Sequence, residues 1–254
     1  MRINILGSGY MGKQISALFK LIGFDVLIWH NNSSDPTNQI NIETKKLEKN
    51  FNVKSLGSIS LESDLSKFEN NFTIETVTEN LEIKKKIISS LNYKENIFSN
   101  TSSIKLSDIG QNINGFHFMN PVSIKLIEIC KITNFSKVKL LNVLNKLKDF
   151  SYDIIDVHDS PGFLINKIIF KDISYFFYLI EKELFSVDNV LKLYQNDIKK
   201  INPIRLINII GTDTCLHILT NLNKYDKKFY VPEKIKKAVK NNILGLKNKK
   251  LFKI

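Results

Sequence analysis

Up to residue 158 the chain alternates short apolar runs with longer stretches whose apolar positions recur at helical spacing. RINIL at 2–6 opens the series as a buried strand, and a helical pattern follows directly through Phe24. A second strand is predicted at 25–29. The next segment, 35–72, is polar and lysine-rich, with a helix predicted over 42–50 and a short strand near 58–60. Further strands are expected at 72–78 and 96–100, separated by the helical stretch ENLEIKKKIISSL, and 105–115 reads as a short link. GFHFMNPVSIKLIEIC at 115–130 then places two apolar runs on either side of an Asn120-Pro121 turn. A helix over 137–150 and a strand over 152–157 complete the series. Short apolar strands alternating with amphipathic helices predict an open, mainly parallel α/β sheet.

Beyond Asp159 the strand signals stop. Ser160 as N-cap and Pro161 as first helical residue predict a long apolar helix to about Leu184. Helices are also expected at 187–194, from Asn202-Pro203 to 210, and at 212–221. The chain therefore divides into an α/β domain over 1–158 and an all-helical domain over 159–254.

The first turn carries chemistry. Gly7, Gly9 and Gly12, with Tyr10 and Met11 between them, form GxGxxG where a strand feeds a helix. The first glycine permits a tight turn, the second lets backbone approach a pyrophosphate, and the third packs helix on strand. This context predicts a Rossmann dinucleotide-binding domain. Such a fold usually ends its second strand on an acidic residue that binds the adenosine ribose. Here the position is His30, followed by Asn31, Asn32 and Ser33. NAD can bind through these amide side chains, and the missing carboxylate also admits the 2′-phosphate of NADP.

His117 and Glu128 supply the second candidate centre. An imidazole exchanges protons near neutrality, and a neighbouring carboxylate can fix its tautomer and offset its charge. The alternative is a histidine hydrogen-bonded within a sheet and a glutamate on a strand face. Asn166 lies near the start of this largely apolar helix, where a buried amide needs a hydrogen-bond partner.

Composition narrows the rest. The formal net charge is +12, but the arginines are only Arg2 and Arg205 and the lysines are scattered. No basic helix or aromatic-basic motif points to specific nucleic-acid binding. The charge suits an anionic ligand. Cys130 and Cys215 lie far apart in no metal-ligand spacing, which suggests buried thiols. No apolar run reaches the roughly 20 residues of a membrane span, so a cytoplasmic protein without a membrane partner is expected.

Taken together, GxGxMG, HFxNP and DSPGFxxN, in that order along nearly the whole chain, resemble the L-3-hydroxyacyl-CoA dehydrogenases. The resemblance implies that His117 is the catalytic base, that Glu128 orients it, and that Ser102 and Asn166 hydrogen-bond the substrate oxygen. It also implies that Glu79 and Lys84, from a segment similar to the family's VENLxxK, lie beside the cofactor, and that Ser102 meets the nicotinamide as well. A short-chain acyl-CoA substrate, NAD as cofactor (NADP not excluded) and a homodimer built through the helical domain follow from it. The expected location is the carboxyl ends of the strands for the cofactor and the cleft between domains for the substrate. The His117-to-Glu128 spacing is one residue shorter than the family's usual pattern, and the excursion carrying Lys45, Lys46 and Lys49 is abbreviated. Two other readings use the same fold: a dehydrogenase of another hydroxy acid, and a cofactor-binding homologue without turnover.

Overall fold

In the computed structural model the described residues are 1–31, 35–133, 135–195 and 201–254. Asn32 and Ser33, considered above as cofactor ligands, lie outside them. The chain separates into two compact units, Met1–Ser160 and Pro161–Ile254.

The first unit is an eight-stranded sheet flanked by helices. Its strands are β1 (Arg2–Leu6), β2 (Asp25–Trp29), β3 (Ile59–Glu62), β4 (Phe72–Glu75), β5 (Ile97–Ser99), β6 (Asn114–Phe118), β7 (Leu126–Cys130) and β8 (Asp153–Asp156). They lie in the order β3-β2-β1-β4-β5-β6-β7-β8. Every neighbouring pair is parallel except β6 with β7. The order reverses between β1 and β4, and a sheet of this kind builds its ligand site outside the carboxyl ends of its strands at such a point. This is the expected dinucleotide-binding architecture.

Its helices are α1 (Tyr10–Leu21), α2 (Thr37–Phe51), α3 (Leu81–Ser89), α4 (Leu106–Ile109) and α5 (Lys137–Asp149). Burial follows the apolar periodicity. Ile15, Leu18, Phe19 and Leu21 of α1 are fully buried, in one core with Ile3 and Ile5 of β1 and with Phe72, Phe98 and Phe116 of the central strands. Phe72 stacks on Phe98 with ring centroids 4.5 Å apart, and Phe116 meets both edge-on. Three differences from the sequence reading are local. α2 begins five residues before the predicted 42 and carries the chain past it, α4 occupies part of the supposed link, and β4 stops at Glu75, short of 78.

The second unit consists of α6 (Ile165–Glu181), α7 (Val187–Gln195), α8 (Pro203–Ile210), α9 (Thr212–Tyr225) and α10 (Glu233–Lys240). Phe170, Phe177, Ile207, Cys215, Leu219 and Phe252 share its core. The predicted start of the long helix is corrected here. Gly162 and Phe163 have φ of +77° and +44°, which interrupts helical geometry, and α6 begins only at Ile165. Ser160 does not cap it; its hydroxyl donates to the carbonyl of His158 at 3.4 Å. Asn202 does cap α8 as expected, with Oδ1 accepting from the amides of Ile204 and Arg205. The sequence reading left α10 unassigned. Both cysteines are buried thiols, as expected, and burial raises each, Cys130 to about 11.

Candidate active site

The glycine turn closes around the end of β4. Gly7 has φ +119°, and a Cβ there would sit 3.0 Å from the backbone of Thr76 and Val77. At Gly12 a Cβ would fall 2.0 Å from the Gly7 carbonyl oxygen, so only glycine lets α1 pack this close. Thr76 completes the turn, its hydroxyl donating to the Gly7 carbonyl at 3.0 Å. At Gly9 nothing lies within 4 Å of a built Cβ. Gly9 is also the N-cap of α1 and offers no side chain to its amides, and the first turn, with Tyr10 and Met11, carries no acidic residue. An open helix N-terminus of this length, free of carboxylates and reached by bare backbone, suits a pyrophosphate.

His30 follows β2, its amide donating to the Glu62 carbonyl at 3.2 Å. Its Nδ1 is buried and has no hydrogen-bond partner among the described residues. A buried ring nitrogen left unsatisfied is costly unless a ligand completes it. The residues present therefore fit a dinucleotide, with an imidazole in place of the usual carboxylate.

Beyond β4 and β5 the structure assembles a charged cluster that reaches further than the sequence reading. The Oε1 of Glu79 accepts from the amides of Ser102 and Ser103, each at 2.9 Å, and from the Thr101 hydroxyl at 2.7 Å. Burial would push this carboxyl up, but the Lys84 charge and the hydrogen bonds from Thr101 and Ser102 outweigh it and hold it at about 2. Lys84 faces inward. It is buried, and its Nζ lies 2.8 and 3.0 Å from the two carboxylate oxygens of Glu75, 3.2 Å from Glu79 and 3.4 Å from the Val77 carbonyl. An ammonium has three protons, and these partners occupy them. Lys84 therefore supports Glu79 from within the protein. Burial would lower its pKa; the two carboxylates overcome this and raise it.

His117 is on β6 and Glu128 on β7, and the two are directly opposed in the antiparallel register. Nδ1 of His117 and Oε2 of Glu128 are 2.8 Å apart, with the glutamate fully buried and the histidine nearly so. A short 3-10 turn at Val122–Ile124, closed by Lys125 at φ +60°, joins the strands. This turn accommodates the shortened spacing without disturbing the pair. The Asn120-Pro121 peptide is cis. Asn100 ties the adjoining strand ends together, its Oδ1 accepting from the Phe118 amide at 2.8 Å. Ser102 and His117 thus emerge from neighbouring carboxyl ends of the sheet.

Asn166 belongs to the second unit. It is the second residue of α6, in its first turn, and is 9% exposed. Glu75, Ser99, Thr101 and Asn100 were missed by the sequence reading. The available signal for Glu75 was a carboxylate within the predicted strand at 72–78.

A dinucleotide-binding domain followed by a helical unit, with a carboxylate-held histidine at the strand ends, defines the class as a nicotinamide-dependent oxidoreductase. Residues 2–160 match the family described as 3-hydroxyacyl-CoA dehydrogenase, NAD binding domain. The chain belongs to this family, and NAD is the cofactor its first domain takes. It is 28% identical over 277 residues to a probable 3-hydroxybutyryl-CoA dehydrogenase of Bacillus subtilis, covering 99% of this chain and 96% of that one. Its fold is similar to that of FadB2 of M. tuberculosis, with a TM-score of 0.82 at 20% identity, covering 99% of this chain and 98% of the other. It is likewise similar to the (S)-3-hydroxybutyryl-CoA dehydrogenase of Ralstonia eutropha, with a TM-score of 0.78 at 24% identity, covering 100% and 98%. Among the described residues no helix is long and apolar enough to cross a membrane.

Proposed function

We propose that this chain catalyses reversible dehydrogenation of a short-chain 3-hydroxyacyl-CoA to the 3-oxoacyl-CoA. The observation that carries the reading is the buried 2.8 Å contact between His117 and Glu128, placed beside the Ser102 loop at the strand ends. NAD supplies the chemistry of the hydride, accepting it from C3 of the substrate or returning it.

The chain's own residues manage position and protons. With Nδ1 engaged by Glu128, proton exchange with the substrate hydroxyl falls to Nε2 of His117. Glu128 fixes the tautomer and offsets the charge of the imidazolium. Ser102 hydrogen-bonds the oxygen as it becomes a carbonyl, which holds C3 in line for transfer. Gly7, Gly9, Tyr10, Met11 and Gly12 receive the pyrophosphate, His30 the adenosine ribose, and Glu79 acts beside the nicotinamide through the loop it anchors. Residues 1–158 serve as the cofactor domain and 159–254 as the substrate and dimerisation domain.

The protein acts as a cytoplasmic homodimer in this reading. Tyr175 and Tyr178 on α6 are 57% and 39% exposed and stack with centroids 6.2 Å apart, an aromatic surface suited to a second copy. Sedimentation of the purified chain tests that assembly.

The primary experiment is acetoacetyl-CoA-dependent oxidation of NADH and of NADPH, measured side by side. Turnover faster with NADH is expected. Cofactor binding without turnover of any acyl-CoA would replace this reading with another hydroxy acid or a non-catalytic homologue.

A further inference from the structure

Glu75 ends β4 in direct register with Ser99 at the end of β5, and both are fully buried. All of its acceptor capacity is engaged. Oε1 accepts from Lys84 at 2.8 Å and from the Val77 amide at 2.7 Å, and Oε2 accepts from Lys84 at 3.0 Å and from the Ser99 hydroxyl at 2.6 Å.

Two routes lead from this one carboxylate to the same loop. Through Ser99, whose Oγ accepts from the Thr101 amide at 3.2 Å, it reaches the start of 101–103. Through Lys84 and then Glu79, it reaches the Ser102 and Ser103 amides and the Thr101 hydroxyl. Stability is a poor reason for such a core. A buried ion pair loses much of its Coulomb attraction to desolvation, and an apolar pair of similar volume is often as stable or more so. A polar network in which every member is satisfied does, however, hold a loop in one geometry.

We infer that Glu75 is a positioning residue for catalysis: it sets Lys84, Glu79 and Ser99 so that the 101–103 loop presents Ser102 in a single orientation. The inference deepens the reading above, since it rests on the role proposed there for Ser102. Glu75 itself touches neither substrate nor cofactor. Its isostere Gln keeps one acceptor but loses the charge that draws Lys84, and it brings an amide that competes with Lys84 as a donor. Released from that side, Lys84 no longer fixes Glu79.

The test uses the full chain without ligand first. In Glu75→Gln, amide hydrogen exchange at 101–103 should quicken at least tenfold while amides of β1, β2 and the helical unit keep their rates. Unchanged exchange in the folded variant, or acceleration spread evenly over the first unit, overturns the inference. Kinetics supply the second arm. Glu75→Gln should lower kcat at least tenfold with KM for NADH within threefold, and in a Ser102→Ala background it should cost less than threefold more. Additive losses would mean that Glu75 does not act through Ser102. If Ser102→Ala alone leaves turnover intact, the role proposed for Ser102 fails, while the exchange result still decides whether Glu75 holds the loop. Where Glu75→Gln does not fold, Glu75→Gln with Lys84→Met removes the pair together. Wild-type exchange at 101–103 in that double variant would equally refute the inference.

Discussion

Glu128 stands directly across the antiparallel β6–β7 pair from His117, at 2.8 Å, although their separation along the chain is one residue shorter than the family pattern. In an antiparallel ladder opposition depends on register, and a residue removed in the connecting turn does not disturb it if the turn can tighten. Here the 3-10 turn at Val122–Ile124 and the left-handed Lys125 provide that turn.

His117→Ala should therefore lower turnover by about two to four powers of ten, the range of a positioned acid-base group. Glu128→Gln should lower it less. If the two act as a unit, combining them should be no slower than His117→Ala alone. Steady-state rates with acetoacetyl-CoA and NADH, on variants with wild-type circular dichroism, decide this.

Gly12 and Gly9 should separate packing from cofactor binding. Gly12→Ala drives a Cβ to 2.0 Å from the Gly7 carbonyl oxygen and 2.7 Å from the Thr76 hydroxyl. Overpacking of this sort costs roughly 1–3 kcal/mol. Gly9→Ala meets nothing within 4 Å. Urea denaturation should show Gly12→Ala destabilised and Gly9→Ala unchanged, while fluorescence titration with NADH shows both weakened.

The Glu79 cluster predicts sensitivity to acid. With its carboxyl at about 2 in the folded chain against an ordinary 4.5, the unfolded chain binds more protons over that interval. The stability contributed by Glu79 is thus complete above about pH 4.5 and is lost as pH falls toward 2. Lys84 is raised, so its contribution is complete below its ordinary 10.5 and is lost as pH rises through its higher folded value. Glu79→Gln should flatten the acid limb of a melting-temperature profile. An unaltered limb would show that other carboxylates govern it.

His30 should govern the adenosine end of the cofactor. His30→Asp places a carboxylate where the ribose 2′-hydroxyl can donate to it and where a 2′-phosphate is repelled. One charge-assisted hydrogen bond is worth roughly 1.5–3 kcal/mol, so the ratio of kcat/KM for NADH over NADPH should rise by about tenfold or more. An unchanged ratio would place the ribose away from His30.

Local pattern alone determined much of this protein. The apolar runs at β1 and β2, the glycines between β1 and α1, and the Asn202 cap of α8 are short-range signals. Each is set by neighbours within a few residues, so each was legible before any fold was known. HFxNP and DSPGF likewise singled out His117 and Asn166 as candidates, though not where α6 starts; Phe163, a bulky residue at φ +44°, carries no sequence mark of that conformation. What only the tertiary structure decided is the company these residues keep. Nothing in the run Lys84-Lys85-Lys86 marks which lysine is buried, yet the placement of α3 against β4 turns Lys84 inward to Glu75 and Glu79. The opposition of His117 and Glu128 depends on a turn that keeps register, and the grip of Glu79 on the Ser102 loop spans more than twenty residues of chain. A buried charge is tolerated only where a distant partner meets it, and that meeting is a property of the folded sheet.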